Sequence, residues 1–198
     1  MYAYYMRICQ FSFCRSTLLA IGQANTGKAR RLSEIYTMAG HLVRRLNQIS
    51  VAVFADRMAL LGVELTPVQF GALSAIEATP GIDQASLAGA IAYDKATIGG
   101  VVDRLENKGY IRRKTSHTDR RARVLSVTAK GQALLKTIRP EVADLQNDIL
   151  SGLDAGERAQ FLALLRKTTD AGNALSRAPL RKSTAKHQAE TSEKTDDV

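Results

Sequence analysis

The chain has 198 residues, 45% of them hydrophobic, and a formal net charge of +9. That length and apolar content suit one ordinary domain or a compact two-lobed subunit with its own core, and the basic balance points to a polyanionic partner. The two cysteines, Cys9 and Cys14, form no CxxC pair or Cys/His cluster, so neither a zinc site nor another metal or cofactor is expected, and a reducing, cytoplasmic setting fits.

In chain order, residues 1–35 read as an N-terminal extension of poor order. Its first 22 residues are apolar enough to resemble a signal peptide, but Arg7 and Arg15 interrupt them and no small-residue cleavage site follows. No run of about 18 apolar residues exists, so no membrane partner is expected. A helix is predicted from about Met38 to Leu61, where Leu42, Leu46, Ile49 and Val53 form one apolar stripe and Gly62 stops it. Thr66 and Pro67 open a second helix as N-cap and first helical residue, and Pro80-Gly81 ends it. Asp83 caps a short third helix carrying Leu87 and Ile91. Asp94 is expected to cap a fourth, Lys95 to Lys108, with Gly109 as its left-handed stop.

Two β-like runs then flank a loop crowded with arginine, Tyr110 to Thr128. Between Arg112 and Arg123 six cations (Arg112, Arg113, Lys114, Arg120, Arg121, Arg123) face one anion, Asp119. Such a hairpin tip repels itself unless an anion is near, and a nucleic-acid backbone with its minor groove suits it. Thr128 caps a long helix through Leu134, Leu135 and Ile138, which Pro140 should kink or divide near Arg139. A last helix is predicted from about Ala155 to Ala174, and residues 176–198 read as a disordered tail.

The expected fold is mainly α with a small β-hairpin wing: a winged helix-turn-helix lobe (63–131) flanked by dimerisation helices (36–62 and 132–175). The flanking apolar stripes are too long for a small lobe to absorb, and a second copy of the chain is the simplest cover. In the fourth helix Ile98, Val101, Val102 and Leu105 share one face, leaving Lys95, Ala96, Thr97, Gly99, Gly100 and Asp103 for a DNA groove. Candidate DNA contacts are therefore Asp94, Lys95, Ala96, Thr97, Gly99, Gly100 and Arg104 on this helix. On the wing they are Arg113, Lys114, Asp119, Arg120, Arg121 and Arg123. Arg121 is the candidate for minor-groove insertion, oriented by Asp119, and the other cations for phosphate. Two glycines inside a helix cost roughly 2 kcal/mol against alanine, which close approach of DNA would explain.

Together these segments resemble the MarR family of transcription regulators. The resemblance rests on L-T-P-V-Q-F at Leu65–Phe70, Y-D-K-A-T-I-G-G-V-V-D-R-L-E-N-K-G-Y at Tyr93–Tyr110, and D-R-R-A-R-V-L-S-V-T-A-K-G at Asp119–Gly131. It implies a homodimeric repressor on double-stranded DNA, released from a palindromic operator by a small molecule. The family often has Thr-Arg where this chain has Gly99-Gly100, so an expected contacting arginine is missing. The Gly-Gly variant and G-H-L-V-R-R-L at Gly40–Leu46 are similar to a branch associated with aromatic-acid catabolism. Effectors in the family are commonly phenolic or aromatic carboxylates. Here His41, Arg44 and Arg45 are the candidate polar groups, and Met38, Ile49, Phe70 and Leu73 the candidate walls. The alternatives are a redox-responsive regulator switching through Cys9 and Cys14, or a sequence-independent DNA-binding protein. An enzyme is not expected, because His41, His117 and His187 accompany no nucleophile elbow, phosphate loop or metal-ligand spacing.

Overall fold

Side-chain caps set where four of the described helices begin. A computed structural model of the chain describes residues 34–115 and 123–181. Residues 34–37 form a helical turn, ahead of the predicted start, and α1 then runs Ala39–Leu60. Gly62 follows with φ of +65°, as a helix stop requires. α2 (Pro67–Ala78) opens with a full capping box: the Gln69 amide donates to Thr66 Oγ1 at 3.2 Å, and the Thr66 amide to Gln69 Oε1 at 3.2 Å. α3 (Gln84–Ala90) is capped by Asp83, whose Oδ1 accepts from the amides of Ala85 (2.8 Å) and Ser86 (2.9 Å). Ala92 carries the turn after α3 at φ of +51°, the left-handed region that glycine usually fills.

α4 (Ile98–Asn107) ends at Gly109, and β1 (Ile111–Thr115) pairs antiparallel with β2 (Arg123–Val127), from Ile111 opposite Val127 to Thr115 opposite Arg123. A third rung covers the inner edge of β2. The Gly81 amide donates to the Leu125 carbonyl and the Leu125 amide to the Ile82 carbonyl, both at 2.9 Å, and Asp83 bridges Val124. α5 (Ala129–Ile149) starts at Thr128, whose hydroxyl accepts from the Gly131 amide at 3.1 Å.

Pro140 does not divide α5, which is one helix through it. Lys136 and Pro140 are both exposed, so water can serve the carbonyl that loses its partner. α6 (Ala155–Ala171) has a second capping box, Asp154 with Glu157, and stops earlier than predicted; a 3-10 turn (Asn173–Leu175) follows.

By compactness the chain separates at Gln48/Ile49, inside α1 rather than at Gly62. The second unit's core explains why: Phe54 and Met58 of α1 are buried with Leu73, Ile76, Leu87, Val102, Leu105, Leu125, Leu135 and Ile138. Each such side chain contributes roughly 1.5–3 kcal/mol through burial. Arg57 ties α1 to α5, donating to Glu141 (2.8 Å), Asp144 (3.0 Å) and Asp148 (2.8 Å).

Candidate nucleic-acid interface

The apolar face of α4 is settled by burial. Ile98, Val101, Val102 and Leu105 are all in the core, as their spacing predicts, so the opposite side of the helix is exposed. Its start differs from expectation. Asp94 Oδ1 accepts from the Ala96 amide at 2.7 Å, and the Asp94 carbonyl from the amides of Thr97 (3.2 Å) and Ile98 (3.0 Å). Lys95, Ala96 and Thr97 are thereby a turn, and regular helix begins at Ile98. Asp94 is a local turn-former, not the N-cap. Gly99 and Gly100 consequently occupy the first helical turn, where amides precede the first intrahelical bond and are free to meet an anion. Lys95, Ala96, Thr97 and Gly100 are exposed, and Asp94 and Gly99 half-buried. A Cβ added at Gly100 would meet nothing within 4 Å, and one at Gly99 only the Gln84 side-chain amide at 3.3 Å.

β1 lies beside α4, and Arg113 is used up there. Its guanidinium pairs with Asp103 and, at 2.9 Å, with Glu106, while its own amide donates to Glu106 Oε1 at 3.1 Å. Arg113, expected as a phosphate contact, is here a brace between wing and helix, and Asp103 is one of its two carboxylate partners. Arg112 donates to Ser126 Oγ at 3.1 Å. Lys114 and Arg123 are exposed near the strand ends that lead to the hairpin tip. Asp119, Arg120 and Arg121 lie outside the described residues. Arg104, also exposed, stands towards the other end of α4, where with Lys108, Met58, Val63 and Leu65 it lines a cleft of about 630 Å³.

The candidate ligand residues divide between the two units. In the first, Met38, Arg44 and Arg45 are exposed, and Arg44 donates to Gln48 Oε1 at 2.9 Å. His41 is half-buried. Its ring meets Tyr36 edge-on with centroids 5.5 Å apart, and its buried Nε2 has no hydrogen-bond partner among the described residues. Tyr36 was not legible as a neighbour, although only four residues separate it from His41 in sequence. In the second unit Ile49 is exposed and Phe70 half-buried, 6.1 Å from the Phe54 ring. Leu73 has no exposed surface at all and is a core residue, so it cannot be a ligand wall.

A helix-turn-helix with a two-stranded wing defines the class: a winged-helix protein whose exposed helix and cationic hairpin stand side by side. The MarR family model matches residues 65–122. The transcriptional repressor NicR of Pseudomonas putida is 34% identical over 137 residues, covering 69% of this chain and 85% of that protein. Among solved structures, Bordetella bronchiseptica BpsR, whose DNA binding is regulated by 6-hydroxynicotinic acid, superposes with a TM-score of 0.63 at 30% identity, covering 68% of this chain and 94% of that one. Streptomyces coelicolor PcaV, solved with its natural ligand, gives a TM-score of 0.63 at 30% identity, with 70% of this chain and 96% of that one covered. The chain belongs to the MarR family of transcription regulators. No helix among the described residues is long and apolar enough to cross a membrane.

Proposed function

We propose that the protein is a homodimeric repressor that grips a palindromic operator once per protomer and is released by a small aromatic acid or phenolic compound. The observation that carries this reading is the exposed, amide-rich opening turn of α4, on a helix that Arg113 braces further along to a hairpin whose sequence is loaded with cations. Amides at a helix start favour phosphate, and the wing cations add charge that positions without specifying. Arg121 enters the minor groove, aligned by Asp119, while Lys114, Arg120 and Arg123 hold phosphates. Leu42, Val43, Ile49 and Val51 on α1 and Leu162 and Leu164 on α6 are exposed apolar side chains that a second copy would cover.

His41, Arg44 and Arg45 are the groups that receive the effector's carboxylate or hydroxyl, with Met38 on the same unit as an apolar wall. His41 Nε2, without a partner among the described residues, supports this, because a buried polar atom without a partner is unfavourable unless a ligand supplies one. NicR and BpsR support a repressor role and a hydroxylated aromatic acid as effector class.

The test is fluorescence anisotropy on the duplex flanking the protein's own coding region, against random duplex at the same salt. Preference of about 10³ or more is expected, lost on titrating hydroxylated aromatic acids. Equal affinity for both duplexes would leave only a sequence-independent binder, and binding indifferent to every such acid would remove the effector assignment.

A further inference from the structure

After α6 the chain doubles back as a strap. The Asn173 side-chain amide grips the backbone of Leu180 twice: Nδ2 donates to its carbonyl at 3.1 Å, and Oδ1 accepts from its amide at 2.8 Å. Between them Ser176 Oγ accepts from the Ala178 amide at 3.1 Å. The Arg181 amide then donates to the Gly89 carbonyl, in the last turn of α3, at 2.8 Å. Residues 176–181 are thus held in place, contrary to the tail expected from their polar composition.

Gly89 lies directly under the strap. It is buried inside α3, where glycine costs about 1 kcal/mol against alanine. A Cβ there would stand 3.0 Å from Arg181 Cδ and 3.2 Å from its Cβ and Cγ, so the Arg181 side chain packs closely on this position and would have to give by a few tenths of an ångström for a larger residue. Pro179 stiffens the approach by fixing its φ.

The strap brings Arg177 and Arg181 to the rim of a cavity of about 260 Å³, shared with Tyr93, Asp94 and Lys95. Both arginines and Lys95 are exposed, and none is ion-paired among the described residues. Arg177 and Arg181 therefore stand beside Lys95 of the turn that opens α4, two cations on an element that neither the helix-turn-helix nor the wing supplies. We propose that the segment Asn173–Arg181 is an additional DNA contact, in which Arg177 and Arg181 join Lys95 in clamping the phosphate backbone beside the recognition helix. The proposal rests on the reading that α4 faces duplex DNA. Guanidinium forks match phosphate oxygens, and the strap's attachment at Gly89 fixes them before DNA arrives.

Backbone clamping has a signature in salt. Each phosphate neutralised adds about 0.9 to the slope of log affinity against log salt. In the full-length protein, Arg177→Gln/Arg181→Gln should lower affinity for operator and random duplex alike, about tenfold or more at low salt, and reduce the slope by about 2. Asn173→Ala keeps every charge but releases the strap, and should give a smaller loss, with thermal unfolding of all variants showing that the lobe is intact. Unchanged affinity and slope in the double arginine variant would overturn the proposal. Tighter binding would overturn it as well, since the strap would then be covering the surface. Lys95→Gln separates the two levels: if it weakens binding while the strap variants do not, the strap alone is refuted, whereas a wild type that binds no duplex refutes the underlying reading.

Discussion

Arg113 holds Glu106 twice, through its backbone amide at 3.1 Å to one carboxylate oxygen and through its guanidinium at 2.9 Å to the other. One carboxylate on α4 thereby fixes both the strand and the side chain that leave it. With Asp103 on the same guanidinium, the inclination of the wing against the recognition helix is set by a partly shielded, three-residue ion cluster.

Removing this brace should cost little stability and more function. Glu106→Ala is expected to destabilise by about 1 kcal/mol, the scale of a partly exposed ion pair with one extra hydrogen bond. Operator affinity should fall further than that, because the wing would have to be ordered on binding. Denaturant unfolding and anisotropy on the same variant check it, and equal losses in both would refute the bracing role.

Gly100 is free of internal constraint, so the lobe has no steric need for glycine there. Gly100→Ala should raise stability by up to about 0.5–1 kcal/mol, less if the first turn is forgiving. Gly100→Leu should weaken operator binding while leaving the thermal midpoint unchanged or higher. Unimpaired binding by the leucine variant would show that DNA does not come close at this position.

Gly131 is the opposite case. A Cβ there would sit 2.2 Å from the Tyr110 carbonyl oxygen and 2.8 Å from Val127 Cγ1, both parts of the hairpin base. Gly131→Ala should therefore destabilise by about 1–3 kcal/mol as the start of α5 is pushed from the sheet. A thermal midpoint equal to wild type would contradict this packing.

Asp83 gives a pH dependence. Burial raises its pKa, but bonds from the Ser86 hydroxyl and from the amides of Ser86 and Ala85 outweigh that, leaving it below its ordinary 3.8. A folded pKa below the unfolded one means stability present above 3.8 and lost as pH falls through the lower folded value. Asp83→Ala should cost about 1 kcal/mol at neutral pH, with the gap to wild type closing only in strong acid. A gap that stayed constant down to pH ~2 would show that the carboxylate's charge contributes nothing.

Local chemistry was the legible part. Thr66-Pro67, Asp83, Thr128, Gly62 and Gly109 mark helix ends through bonds and dihedrals spanning only a few residues, and they stand where the sequence places them. The α4 stripe was legible because its period follows from helix geometry alone. Asp94 misled because an aspartate that accepts its second-next amide can form a turn as readily as a cap, and Thr97 then enters the helix without a side-chain cap. The Arg113 brace and the seat of Arg181 on Gly89 were illegible for a different reason: both join elements distant in sequence, and no periodicity records which arginine finds which carboxylate or carbonyl.

The bridge between Asp83 and Val124 separates the wing's root from its tip. Because the bonds to Gly81 and Ile82 anchor β2 from the side opposite β1, the root of the wing belongs to the same frame that carries α4, and a change that loosened the start of α3 would reach the wing as well.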